Sequence, residues 1–290
     1  MPELGDLRLD KSADVEPSLG TSDRRGLRIM LFGVVAVVLA VAGYLVLRRP
    51  PPAQPSGNAA HPARVTSDVV LAPERGEDIP LPPLDETDAL VRDLVGRLSS
   101  HPKVAAWLAT DRLIRNFAVV TVNIADGQTP VKHLRPLAPA SPFQASTDAA
   151  NAVILPASYI RYDAYADAVA SLDAKGTARL YATLKPRIQE AYQELGYPTG
   201  SVDEALKRAI VELLKTPVVE GRVPLKRSSV SYTFADQRLE SLSAAQKQLL
   251  RMGPRNVRIV QDKLREIAPF LGIDPATLPA ATVIQSGASR

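Results

Sequence analysis

Cysteine is absent from this chain. Disulfides, thiolate metal sites and a lipid-modified cysteine are therefore excluded, while the redox compartment stays open, because a cysteine-free chain suits an oxidising or a reducing one. Histidine is nearly absent, with three copies. His61 falls in a proline-rich stretch and His101 stands beside Pro102; only His133 has cationic neighbours, Lys132 and Arg135. A general base needs a partner to orient it and a reacting group within reach. Histidine catalysis is thus poorly supplied, and Lys132-His133-Leu134-Arg135 reads as a loop anchored by Leu134 and Leu137 with solvated cations. The chain also lacks Gly-x-Ser-x-Gly, His-Glu-x-x-His and a glycine-rich phosphate loop. No cofactor and no metal is implied.

Of the 290 residues, 46% are hydrophobic and 23% charged, an ordinary globular mix. A domain of roughly 200 residues buries about 70% of its chain surface and needs no staple. The net charge of +4 conceals an asymmetry. Arg64 to Gly221 carries 17 basic and 20 acidic residues, whereas Arg222 to Arg265 carries 10 basic and 3 acidic. The second stretch reads first as a basic surface and second as a patch for an anionic partner, such as lipid headgroups, a glycan or nucleic acid.

Ile29 to Leu47 contains 19 residues without a charge, bracketed by Arg28 and by Arg48-Arg49. At about 1.5 Å per residue a helix here is roughly 28 Å long, close to the ~30 Å hydrocarbon layer. It has no polar stripe, unlike a helix on a soluble core, and Tyr44 stands near one end, where an amphipathic ring prefers the interface. Ala40-Val41-Ala42 resembles a cleavage site. Against cleavage, the preceding region is long and the apolar run continues to Leu47, so a retained anchor is expected. A short inner tail with a large domain outside is the common plan for such an anchor. The expected placement is a bacterial inner membrane protein, single-pass, with its C-terminal domain in the periplasm.

The expected organisation is a disordered cytoplasmic tail at 1–28, the membrane helix at 29–47, a proline-rich linker at 48–81, a globular helical domain at 82–271 and a flexible tail at 272–290. The linker reads as a semi-rigid spacer, and its last part, ending in IPLPPLD, is placed along the domain surface. Within the domain, Leu90, Val91, Leu94, Val95 and Leu98 form one helical face. His101-Pro102 breaks the chain, and Asp111 is positioned to cap a helix through Leu113, Ile114, Phe117 and Val122. Phe143 to Ala145 and Ala152 to Leu155 read as a short hairpin. Pro156 opens a helix through Tyr159, Tyr162 and Tyr165. Asp173 caps the next, with Pro186 inside it as a source of a kink. Ser201 and Glu204 form a capping box for Val202 to Lys215. Val218 to Phe234 is extended in character, and Gly253-Pro254 separates the last two helices. The fold class expected is α+β, predominantly α-helical, with seven or eight helices and a small β element.

Several strings resemble one known family: IPLPPLDETDALVRDLV, HPKVAAWLATDRLIRNFAVVTVNIADG, KHLRPLAP, PASYIRYDAYADAVASLD, EAYQELGYP and VSYTFADQRLESLSAAQKQLLRMGPRNVRIVQDKLREI. Together, from about Leu81 to Ile267, they are similar to the bacterial proteins of domain of unknown function 3014. The resemblance implies a membrane helix, a proline-rich spacer and a place in the envelope of a Gram-negative bacterium. It transfers no activity and no functional residue.

Other groupings read as structure. Glu190 and Glu194 share a helix face with Arg187, whereas glycoside-cleaving carboxylates face each other across a cleft. Tyr159, Tyr162 and Tyr165 fit core and boundary packing, with a glycan-stacking strip as the alternative. Around Gly253-Pro254, the cations Lys247, Arg251, Arg255, Arg258, Lys263 and Arg265 are expected largely outside. The pair of helices resembles a helix-hairpin-helix DNA grip but lacks its first glycine. The expected function is therefore a non-enzymatic binding or scaffold module, held by the bilayer through 29–47 and contacting an unknown envelope protein or cell-wall component. Lys247, Arg251, Arg255 and Arg258 are the candidate partner-binding residues. An enzyme modifying envelope polymer is the alternative, and nucleic-acid binding ranks below both.

Overall fold

The computed structural model describes residues 72–286, apart from 100, 131–132, 134–137, 147–151 and 228–230. The expected tail at 1–28, the membrane helix at 29–47 and the linker up to 71 lie outside the described residues, as do Lys132, Leu134, Arg135 and Leu137. Among the described residues no helix is long and apolar enough to cross a membrane.

The domain is mainly helical with a few short strands, an α+β fold. In order, the helices are α1 (Thr87–Leu98), α2 (Pro102–Leu108), α3 (Leu113–Ala125), α4 (Ala157–Ile160), α5 (Asp163–Ala170), α6 (Ala174–Glu194) and α7 (Val202–Leu214). Strands β1 (Val218–Gly221), β2 (Leu225–Arg227) and β3 (Tyr232–Phe234) follow, then α8 (Gln237–Glu240), α9 (Ala244–Leu250), α10 (Pro254–Ile267) and β4 (Val283–Ser286). Among the described residues ten α-helical segments stand where seven or eight were expected, and the tyrosine-bearing stretch splits into α4 and α5.

The helices pack around α3, which buries Leu113, Ile114, Phe117, Ala118, Val120 and Ile124 against α6 on one side and α7 on the other. Its apolar side chains recur at helical spacing all round because it has neighbours on several sides. Trp107 from α2, Val91 and Val95 from α1, and Tyr162 and Tyr165 complete this core. α10 crosses α5, α6 and β1 and brings Val257, Val260, Leu264 and Ile267 into the same cluster. A second, smaller cluster joins Ala152, Ile154, Val219, Val223, Leu225, Phe234, Leu239 and Leu250.

Two separate two-stranded ribbons make up the β structure. β2 and β3 pair antiparallel, Leu225 opposite Phe234 and Arg227 opposite Tyr232. The expected hairpin at 143–155 is reduced to a single bridge, Ala145 with Ile154. β1 pairs in parallel with β4, Val218 opposite Val283. This corrects the flexible tail expected from 272: Ile273 is buried, Pro275–Thr277 forms a 3-10 turn, and 283–286 is a strand. The apolar residues that hold it are few and far from β1 in sequence, so no local pattern announces the pairing.

The chain before α1 is likewise ordered from residue 72, and lies on the domain. The Glu74 N–H donates to the Phe270 carbonyl at 2.8 Å and the Glu77 N–H to the Thr183 hydroxyl at 2.8 Å. Gly76 lies so close to α6 that a Cβ there would stand 2.5 Å from the Thr183 nitrogen. Pro186 lacks the N–H that would bond to the Ala182 carbonyl, and α6 continues through it as one helix beside this strap.

Three helix ends, the α3 start and both ends of α7, are closed from other parts of the chain. Asp111 does not cap α3. The Asp88 carboxylate of α1 accepts from the Arg112 and Leu113 N–H groups at 2.6 and 2.8 Å. Arg112, which precedes α3, is held at φ 55°, the one positive φ among described non-glycine residues. Ser201 and Glu204 form no capping box. Gln189 of α6 takes that role, accepting from Val202 N–H at 2.9 Å and donating to the Gly200 carbonyl at 2.8 Å. At the far end of α7, buried Gln261 of α10 donates to the carbonyls of Leu213 and Thr216 at 3.1 and 2.8 Å. The expected cap Asp173 does hold, and Asp236 and Ser243 cap α8 and α9, the latter as a full capping box with Gln246.

Candidate functional site

The four candidate cations flank the α9–α10 corner. Gly253 there has φ 86°, and a Cβ on it would meet the Tyr159 ring at 2.5 Å, so the glycine is required both by the backbone and by the close approach. Lys247 turns inward and donates to the Glu240 carboxylate and carbonyl, both at 2.9 Å. Arg251 lies over the Phe234 ring at 5.4 Å, and burial lowers its pKa. Arg255 is exposed but donates to Asp167 at 2.7 Å and approaches Asp163 at 3.7 Å. Arg258 pairs with Glu220 of β1. Lys263, also expected outside, has a side chain only 11% exposed and donates to the Leu172 carbonyl at 2.7 Å. The structure thus turns two of the four inward and gives the other two carboxylate partners.

The remaining sequence candidates are likewise absorbed. Tyr162 and Tyr165 are buried, and Arg161 and Lys103 cover their rings at 4.6 and 4.4 Å. Burial raises the Tyr159 hydroxyl to about 12, and the three tyrosines offer no stacking strip. Glu194 forms a two-pronged pair with Arg115 at 2.6 and 2.9 Å, and Arg115 also reaches Asp85 at 2.5 Å. Glu190 pairs with Arg187, whose guanidinium also donates to the Leu81 carbonyl. His133 is exposed.

A groove of about 320 Å³ was not foreseen. Its walls are Pro73 and Glu74 of the strap, α6, the start of α7, and residues 270–273. On its floor the Tyr181 hydroxyl donates to Asp203 at 2.7 Å, and Asp203 also pairs with Lys185. Burial, then the Asp203 carboxylate, pushes the Tyr181 hydroxyl far above its ordinary value. Glu204 and Lys207, both on α7, face the same groove, and no described residue pairs with either. Phe270, Leu271 and Ile273 supply an apolar side. Sequence reading missed this site because its walls come from four separated segments and two of them, the strap and residues 272–273, were read as linker and tail. A second gap, lined by Val91, Trp107, Phe117 and Tyr181 among others, holds about 20 Å³ and is apolar, a packing defect with no polar group to orient a ligand. Among the described residues no cluster of three or more His, Asp or Glu is placed to hold a metal ion.

Residues 113–268, more than half of the chain, match the family described as "Protein of unknown function (DUF3014)". No curated protein and no solved structure matches the chain.

Proposed function

The chain belongs to the DUF3014 family, and from that premise we propose that it is a single-pass, membrane-tethered envelope protein whose folded domain binds a partner rather than transforming one. The tether is Ile29 to Leu47, whose uncharged length suits a bilayer. The observation that carries the binding role is the groove between the strap and α6–α7. Its volume suits a peptide side chain or a small ligand, and its lining combines apolar Phe270 and Leu271 with the charged side chains of Glu204 and Lys207. The inner polar groups support recognition over catalysis, because each is already engaged. Tyr181 donates a hydrogen bond to Asp203, Lys185 shares that carboxylate, and a carboxylate so held is a poor proton acceptor for a substrate.

The absence of native cysteine makes the test clean. A photoactivatable thiol probe at Lys207→Cys in intact membranes is expected to give a discrete crosslinked species that the same probe at exposed Arg97→Cys does not. Equal patterns from both positions would remove the groove as the contact. Extraction of those membranes at alkaline pH is expected to leave the protein in the pellet, and deletion of residues 29–47 to release it. A topology reporter fused after Arg290 is expected to read out on the periplasmic side.

A further inference from the structure

Two cations without acidic partners lie away from the α9–α10 corner, on the β2–β3 ribbon. Lys226 and Arg227 are exposed, and no carboxylate among the described residues pairs with either. Arg227 stands opposite Tyr232 in the ribbon register. Tyr232 packs on Phe143 with ring centroids 5.9 Å apart, and Arg161 covers the other ring at 5.7 Å from its centroid. Next to Arg161 is Ile160, 64% exposed, the most exposed large hydrophobic residue among those described. Arg227, Tyr232, Phe143 and Arg161 therefore form one run of neighbours, with exposed Ile160 beside it in the chain, while Lys226 falls on the alternate face of its strand.

We propose that this surface docks on an anionic bilayer, so that the domain lies against the membrane that holds its tether; the proposal rests on the tether reading. Charge complementarity selects the headgroups, since cations beside an anionic leaflet each strengthen partition by about fivefold. Ile160 and the rings select the bilayer over a nucleic acid or a soluble polyanion. A phosphate backbone leaves an exposed isoleucine in water, whereas the headgroup region accepts aromatic rings and the acyl boundary accepts the aliphatic chain. Reach is sufficient: 24 residues separate Leu47 from the first described residue. At about 3.1 Å per residue they span up to about 75 Å, against a radius of gyration of about 17 Å for a domain of this size. Tethering turns docking into an intramolecular step, so modest surface affinity is enough.

The test uses the full chain in nanodiscs of phosphatidylcholine with or without phosphatidylglycerol, carrying an environment-sensitive fluorophore at Ile160→Cys. Emission from this position is expected to shift to the blue in the anionic discs and not in the neutral ones, with high salt reversing it. The same label at exposed Glu86→Cys is expected to stay unshifted. Adding Arg227→Ala is expected to weaken docking about fivefold, and Lys226→Ala to weaken it less. An unshifted Ile160 label in a chain that remains in the disc overturns docking and leaves the tether intact. A chain that leaves the disc overturns the tether, and docking is then decided by whether added phosphatidylglycerol vesicles shift the Ile160 label. A shift produced by duplex DNA and not by those vesicles also overturns the proposal.

Discussion

The domain contains two hydrophobic clusters of different character. The larger is assembled from helices, with α3 enclosed by α6 and α7 and α10 laid across their ends. The smaller is assembled from short ribbons, a bridge and the one-turn helix α8, and half-buried aromatic residues lie along its margin. In the first, charged groups end in mutual pairs such as Arg115 with Glu194 and Asp85. In the second, Lys226 and Arg227 remain without such partners among the described residues. The difference teaches that the helical body ties such groups to one another and leaves Glu204 and Lys207 for its groove, whereas the ribbon side presents unpaired cations beside half-buried rings.

The sharpest way to break that comparison is to delete one aromatic ring from each cluster. Phe117→Ala is expected to cost about 4–5 kcal/mol and Phe234→Ala about 3, because the ribbon edge relaxes into the space more readily. Denaturant midpoints measured with matched slopes would decide, and a larger loss at Phe234 would reverse the ranking. Next comes the joint between the two. Gly253→Ala is expected to cost about 2–3 kcal/mol through its positive φ and the Tyr159 contact. In a Tyr159→Ala background the steric part disappears and the backbone part stays, so the cycle should show coupling of about 1 kcal/mol. Third, Asp88→Ala is expected to cost about 1–2 kcal/mol by uncapping α3, while Asp111→Ala changes stability by less than about 0.5. Equal losses at the two aspartates would contradict the cap seen here.

Part of the acid response should lie on the ribbon side. At Glu240, burial works against the charge, but Lys247 and the Phe234 N–H win, and the carboxyl titrates below the ordinary glutamate range. A carboxyl depressed in the folded state contributes stability that is fully present above its unfolded value, ~4.3, and is lost as pH falls through the folded one. Glu240→Gln is expected to lower stability by about 1 kcal/mol at neutral pH and to converge with the parent in acid. A constant gap across pH would assign the loss to packing. The smallest effects belong to Arg255→Ala and Arg258→Ala, each under about 0.5 kcal/mol, because both pairs are solvent-facing.

Much of the fold was legible wherever the signal is local. The α1 stripe, the break at His101-Pro102, the Asp173 cap and the Gly253-Pro254 corner all sit within a few residues of what they control. What was illegible depends on distant segments. Asp88 displaces Asp111 as the α3 cap because it lies opposite the α3 start in space, and Gln189 displaces Ser201 for the same reason. β4 finds β1 from more than sixty residues away. The surplus of cations in 222–265 was visible, but their partners Asp163, Asp167 and Glu220 lie outside that window, so Arg255 and Arg258 looked free. The groove shared this fate, being walled by segments that carry no motif of their own.

The borrowed helix caps have a dynamic consequence. When Asp88, Gln189 and Gln261 each close the end of a helix other than their own, neither the α3 start nor either end of α7 can fray without exposing polar groups on a neighbour. Amide protons at the α3 start and both α7 ends should therefore exchange with solvent only in openings that also release α1, α6 or α10, giving one slow, shared protection class where separate helices would show graded loss toward each terminus. A domain built this way yields all at once or not at all.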